Sequence, residues 1–401
     1  MQTGWRIGSL FGIPLLIDYS WLIILVLATS EYASSYRNGG PVLSWSAGLA
    51  IALLLFGSVL LHELGHSLVA MSQGIKVNSI TLFLFGGVAS IESESKTPGQ
   101  AFQVAIAGPL VSFGIFLILG LGSQVLPPTN LLASLAKSIA ERVAEINLVL
   151  GLFNLIPGLP LDGGQVLKAA IWKITGSRFA GVRWAARTGQ VLGWLAVAFG
   201  LALCLLAGEY GGLWIALIGG FAIRNATAYS RFTSLQEALI KTTASDAMSR
   251  EFRVVDADST LREFADRYLL EVNPFPFYVA AAHGRDLGLV SIDDIRFTER
   301  SQWPIQTLHN ILKPLEKTST VSEKASLAEV INTMESGQLP RIIVLSPIGS
   351  VVGTIDRGDV VKVLAKHLKP TISEADIKRS KEENSYPQGL QLSAIAKTAQ
   401  D

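Results

Sequence analysis

The chain of 401 residues has one cysteine, few charges and few histidines, and each shortage excludes something. A lone Cys204 rules out an intrachain disulfide framework and any zinc site built from cysteines. Asp, Glu, Lys and Arg make up only 16% of residues and the mean hydropathy is +0.41, unusually apolar for a soluble chain of this size. A net charge of +1 gives no electrostatic footprint for nucleic acid or an acidic substrate. The N-terminus lacks the basic start and small-residue cleavage site of a secretory signal, so the first apolar run reads as a retained membrane helix.

What is present is unevenly placed. The first 230 or so residues hold long apolar runs, and the rest has an ordinary soluble composition. Six candidate membrane helices are expected: Ile13 to Ser30, Trp45 to Ser72, Ala101 to Ser123, Arg142 to Ile156, Arg187 to Ala207 and Leu213 to Ala228. The fourth is broken by Pro157, Gly158 and Pro160. With the N-terminus in the cytoplasm, the inner segments carry Arg6, Lys76, Lys96, Lys168, Lys173, Arg178, Arg183, Arg187, Arg224, Arg231 and Lys241, while the outer ones carry only Arg37, Lys137 and Arg142. That asymmetry places the soluble part in the cytoplasm.

Within the second run stands His62-Glu63-Leu64-Gly65-His66, its only ionisable side chains. Charge-bearing groups at membrane depth are costly and imply function. Helical geometry puts His62 and His66 on one face, able to share one zinc ion, with Glu63 beside them as a general base. The alternative, a pair of core histidines satisfied by neighbouring helices, does not account for membrane burial. The third ligand is expected to be a carboxylate, because the other histidines (His283, His309, His367) lie in the soluble part. Asp162 fits best: at about 1.5 Å per residue it falls at the same depth as His62, in the cytoplasmic half of the bilayer. Irregular backbone there is tolerated where it lines a watery cavity. Taken alone, Asp162-Gly163 would read as a turn starting a surface helix. Asn154 can donate to an oxyanion or hold two helices together, and its spacing does not decide between the two. Asp18 is intramembrane by position, either bonded to a neighbouring helix or near the entry interface.

Alternation at Ile80, Leu82 and Leu84 before Gly86-Gly87 predicts a hairpin near Phe85, either a loop packed on the bundle or an edge strand able to hold an unwound substrate. The soluble part repeats itself. Ser259-Thr260-Leu261-Arg262-Glu263 is echoed at Ala325-Ser326-Leu327-Ala328-Glu329, and Gly288 to Asp294 at Gly353 to Asp359. Two copies of a small α/β unit are expected. The last thirty or so residues are polar and read as a mobile tail.

These motifs resemble those of the site-2 protease family of intramembrane zinc metalloproteases, in its branch with C-terminal CBS domains. His62, Glu63 and His66 match its zinc and catalytic motif; Asn154, Pro157, Asp162 and Gly163 match its second, in which the aspartate is the third ligand. Ala107-Gly108-Pro109-Leu110 looks like another signature, with Ser112 where asparagine is common, and Asp18 lies where some relatives carry histidine. The resemblance implies a six-helix bundle whose gating helices admit substrate to a polar cavity. It also implies cleavage of single-pass membrane proteins, often membrane-held transcription regulators or their inhibitors, usually after an earlier cut outside the membrane. The repeats resemble CBS domains, which often bind adenine nucleotides (ATP, ADP or AMP). Ser291 and Asp294 match the hydroxyl and ribose-binding positions of one copy and Asp359 that of the other, where Asp356 replaces the usual threonine or serine. A dimerising or structural module is the other reading of the pair.

The expected architecture is a polytopic α-helical membrane domain with a small β-hairpin, residues 1–232, then a soluble α/β tandem CBS pair, 233–302 and 303–368, and the tail, 369–401. The expected function is that of a zinc metalloendopeptidase acting on a single-pass transmembrane substrate in the lipid bilayer, with a homodimer through the CBS domains as a further option. The rival class is a transporter or metal-sensing scaffold gated by the CBS pair, in which Glu63 is replaceable. A membrane hydrolase of lipid amides is a third.

Overall fold

The computed structural model describes residues 4–84, 86–269, 277–367, 373–387 and 390–400. The chain forms two compact units, residues 1–231 and 232–401.

The first unit begins with two strands rather than a helix, β1 (Trp5–Leu10) and β2 (Ile13–Ile17). Helix α1 (Ser20–Ser34) follows, so the expected helix from Ile13 is corrected to a strand and a 15-residue helix. At about 1.5 Å per residue α1 is roughly 22 Å long, short of a 30 Å hydrocarbon core. Then come α2 (Pro41–Ser72), β3 (Val77–Phe83), β4 (Gly86–Ile91), α3 (Pro98–Val125), α4 (Leu131–Asn154), α5 (Asp162–Thr175), α6 (Arg178–Ala207) and α7 (Gly211–Lys241). Among the described residues three helices, α2, α3 and α6, are long and apolar enough to cross a membrane. Helix α4 starts well before the expected Arg142 and carries Lys137, Glu141, Arg142 and Glu145, which is why it fails that test.

The expected hairpin belongs to a larger sheet, in the order β1-β2-β3-β4, with β2 and β3 parallel and the other pairs antiparallel. Phe85 lies outside the described residues. The inner face of the sheet buries Ile13, Leu15, Val77 and Ile80 against Leu64 of α2, with Val104 of α3 alongside. This packing sets one sheet edge, β4, beside the middle of α2.

The second unit holds the repeat. Its elements are α8 (Ala244–Ala247), β5 (Arg253–Asp256), α9 (Leu261–Phe264), β6 (Tyr278–Ala282), β7 (Arg285–Val290), α10 (Ile292–Arg296), β8 (Lys313–Pro314), β9 (Thr320–Ser322), α11 (Leu327–Ser336), β10 (Arg341–Leu345), β11 (Val351–Asp356) and α12 (Arg357–His367). The sheets run β5-β6-β7-β8 and β11-β10-β9. The first sequence echo is a helix cap: the hydroxyl of Thr260 accepts from the Glu263 N–H, and that of Ser326 from the Glu329 N–H. The copies share an apolar seam of Phe277 and Val279 with Ile343 and Val351.

The expected mobile tail is instead part of this unit. It forms α13 (Glu374–Glu382) and α14 (Leu392–Gln400), and Leu390, Leu392, Ile395 and Ala396 are buried in a core with Leu327, Val330 and Ile331. A short amphipathic helix after a charged stretch gives too few apolar residues to outweigh the composition around it.

Candidate metal centre

One turn of α2 separates His62 from His66, and both are buried, 3% and 7% exposed. Space for the two imidazoles exists because α3 presents a glycine to them. A Cβ at Gly108 would lie 2.2 Å from His66 Nε2 and 2.6 Å from His62 Nε2. Each ring is held at Nδ1. His66 Nδ1–H donates to the Val104 carbonyl at 2.7 Å, which leaves Nε2 as a lone-pair donor. His62 Nδ1 is 2.9 Å from the Ser112 hydroxyl.

Asp162 arrives from the opposite side, as the first residue of α5. The chain between α4 and α5 folds tightly back onto the start of α5. A Cβ at Gly163 would meet the Leu155 carbonyl oxygen at 2.2 Å, and one at Gly164 the Gly158 carbonyl carbon at 2.4 Å. The N–H of Leu159 donates to Ala185 of α6 at 3.1 Å, tying the loop down. Asp162 thus starts a helix, as its sequence alone suggests, and also faces the histidines. Its Oδ2 lies 3.0 Å from His62 Nε2 and 3.2 Å from His66 Nε2, and the two Nε2 atoms are 3.3 Å apart.

Three ligating atoms therefore converge, all within 4.8 Å of one another, the one such His/Cys/Asp/Glu group among the described residues. Tetrahedral zinc with bonds near 2.0–2.1 Å places its ligands about 3.3 Å apart. The observed separations fit that edge, and the donor set, two neutral imidazoles and a carboxylate, suits zinc and leaves a fourth position. His283 and His309 do not join it, and His309 pairs with Asp258 at 3.2 Å.

Glu63 is half-buried beside this cluster, with strand β4 against it. The Ala89 N–H hydrogen-bonds its carboxylate, and a Cβ at Gly87 would meet Glu63 Cγ at 2.6 Å. Asn154, the last residue of α4, is half-buried, and its amide makes no hydrogen bond among the described residues. Asp18 precedes α1 rather than lying within it; its carboxylate accepts from the Ser20 N–H at 2.9 Å. Gly108, Gly87 and Ala89 carry no chemistry of their own, so sequence reasoning could flag them only as parts of glycine-containing patterns; Ser112, whose hydroxyl meets His62, stood out only as a departure from the common asparagine.

In the second unit, Ser291 and Asp294 cap α10 reciprocally, and Asp294 also meets Lys313 Nζ at 2.9 Å. Burial opposes ionisation of Asp294, but Ser291 and Lys313 outweigh it and hold the carboxyl below its ordinary value. Asp359 stands in the other copy, in a matching exchange with Asp356 at the start of α12. Its carboxyl is pushed up to about 6, by burial first and then by the neighbouring Asp356. The nucleotide-pattern residues of each copy therefore serve as helix caps.

Known proteins share much of this sequence. Residues 50–144 and 129–199 match the model of peptidase family M50, and residues 312–366 match the CBS domain. The Synechocystis sp. protein sll0528, which bears the name of a zinc metalloprotease, is 43% identical over 91% of this chain and 96% of its own length. Rip3 of Mycobacterium tuberculosis, named likewise, is 33% identical over 91% and 93%. The solved site-2 protease of Methanocaldococcus jannaschii is 31% identical over 57% of this chain and 95% of its own, with a TM-score of 0.42. The chain belongs to peptidase family M50, the site-2 protease family of zinc metalloproteases, and carries CBS domains in its C-terminal part.

Proposed function

We propose that this zinc metalloprotease cleaves single-pass membrane proteins within or beside the bilayer, with His62, His66 and Asp162 as zinc ligands and Glu63 as general base. The observation that carries the reading is the convergence of three ligating atoms between a membrane-length helix, α2, and the start of α5. Bound there, zinc would supply Lewis acidity toward a water and a carbonyl oxygen. Glu63 takes the proton of the water that attacks the scissile carbonyl and passes it to the leaving amine. The free amide of Asn154 is placed in the role of oxyanion donor.

A helical peptide bond is shielded by its own hydrogen bonds, so the substrate has to be extended before attack. Strand β4 is an edge of its sheet and touches Glu63, which makes it the natural template for strand addition. The proposed orientation has the N-terminus and CBS pair in the cytoplasm and the centre in the cytoplasmic half of the bilayer. An adenine nucleotide at the CBS pair, met by Ser291 and Asp294, is proposed to modulate turnover.

The test pairs zinc content with cleavage of a model single-pass peptide in detergent. Glu63→Gln is expected to keep stoichiometric zinc and lose cleavage by 10²-fold or more, in the range of general-base catalysis. A Glu63→Gln protein that still cuts at the wild-type rate would remove Glu63 from the mechanism, whereas a wild type that binds zinc and cuts nothing would favour a metal-sensing or transport role.

A further inference from the structure

Beyond the metal centre, the first unit contains a buried charge with no part in the chemistry. Lys168 of α5 is 5% exposed, and its Nζ lies 3.1 Å from Glu94 Oε2 and 3.4 Å from the Tyr229 hydroxyl. Tyr229 in turn donates to Glu94 Oε1 at 3.2 Å, and Arg178 approaches Glu94 Oε2 at 3.6 Å. Four segments meet here: the stretch after β4 (Glu94), α5 (Lys168), the first residue of α6 (Arg178) and α7 (Tyr229). Burial works against the ammonium of Lys168, and Tyr229 and Glu94 more than offset it, so it stays charged.

Two of these segments flank the metal centre. Glu94 follows three residues after the end of β4, the strand whose Gly87 and Ala89 back Glu63. Lys168 lies six residues beyond Asp162 on the same helix, roughly 9 Å along its axis. A buried ion pair is a poor source of net stability, since well-packed apolar side chains do as well or better. What a directional, charged contact adds is a defined relative position.

We propose that Glu94 and Lys168 are positioning residues, whose ion pair fixes strand β4 and Glu63's backbone partner relative to helix α5 and Asp162. The inference rests on the zinc and general-base reading above. Loss of the pair lets α5 and β4 shift independently, which loosens the grip of Asp162 on the metal and misplaces Glu63.

The experiment uses the full chain in detergent, as wild type, Lys168→Met, Glu94→Gln and the double variant. It measures zinc affinity by chelator competition, the absorption spectrum of the cobalt(II) form, and kcat and KM on the model peptide. Outer-shell changes at metal sites cost about 10–100-fold. Each single variant is expected at the lower end, about ten-fold in zinc affinity and in kcat, with an altered cobalt spectrum. The double variant is expected to be no worse than Lys168→Met, because the two residues act as one contact. If Lys168→Met does not fold, Glu94→Gln decides, since Glu94 is a third exposed and Lys168 keeps Tyr229. Folded variants with wild-type zinc affinity, cobalt spectrum and kcat, altered only in melting temperature, overturn the proposal. A wild type that binds zinc and cuts nothing sinks the protease reading instead, and leaves the affinity and cobalt readouts to judge the positioning role.

Discussion

At the scale of single residues, the centre depends on where a side chain is missing as much as on where ligands stand. Gly108 is the sharpest case, since a methyl group there would sit 2.2 Å from His66 Nε2. The nearest atoms belong to the two ligands, so relief would require turning both rings out of place. Gly108→Ala is expected to leave a folded protein that has lost stoichiometric zinc, read by metal analysis after dialysis; full zinc occupancy would show that the rings have other room. The clustering of His62, Glu63 and His66 was legible in the sequence because they are the only ionisable groups in a long apolar run, and i, i+4 spacing puts both histidines on one helix face. Gly108 was visible only as part of a pattern, because its role lies in contacts to a helix some forty residues earlier. Ser112, noted only as an unusual residue, turns out to meet His62 Nδ1, a pairing that no spacing rule encodes.

At the scale of elements, hydropathy registers apolar content but not conformation. Ile13 to Ser30 reads as one membrane run, yet Ile13–Ile17 pairs as β2 between β1 and β3, and the helix starts only at Ser20. The repeat was easier to read, since Thr260 with Glu263 forms a local capping box and Ser326 caps its helix through the Glu329 N–H, geometry that follows from three-residue spacing. The same logic yields a pH prediction at α12. Asp359 titrates near 6 in the folded chain, against 3.8 for an ordinary aspartate. A raised folded pKa means that its favourable contribution is complete below about pH 4 and is lost as pH rises through 6. Above that, ionised Asp359 beside Asp356 costs the second unit stability, roughly 1 kcal/mol once its partial exposure is allowed for. Asp359→Asn keeps an acceptor for the Asp356 N–H and removes the charge. It is expected to raise the melting temperature at pH 7.5 by about 3 °C and to have little effect at pH 4. An equal effect at both values would assign the change to packing rather than ionisation.

At the scale of the whole molecule, α7 belongs to both units. Its residue Tyr229 hydrogen-bonds within the first, while Leu235 and Leu239, 4% and 0% exposed, are buried in the core of the second with Leu327 and Val360. A ligand at the CBS pair can alter the peptidase only if it binds two states of the chain with different affinity, and the two states have to be linked physically. The chain passes from one unit to the other within α7, so a signal that follows the chain runs through this helix. Under the proposed nucleotide regulation, AMP changes the turnover of the wild-type chain. Inserting Gly-Ser-Gly-Ser between Arg231 and Phe232 is then expected to leave zinc content unchanged and basal cleavage within about two-fold, while abolishing the AMP response, since a Gly/Ser segment behaves as a flexible coil. The measurement is cleavage of the model peptide by both proteins across an AMP titration. An insertion variant that responds as the wild type does would show that the signal does not travel through α7, whereas a wild type indifferent to AMP but able to cut would remove nucleotide regulation and leave the protease intact.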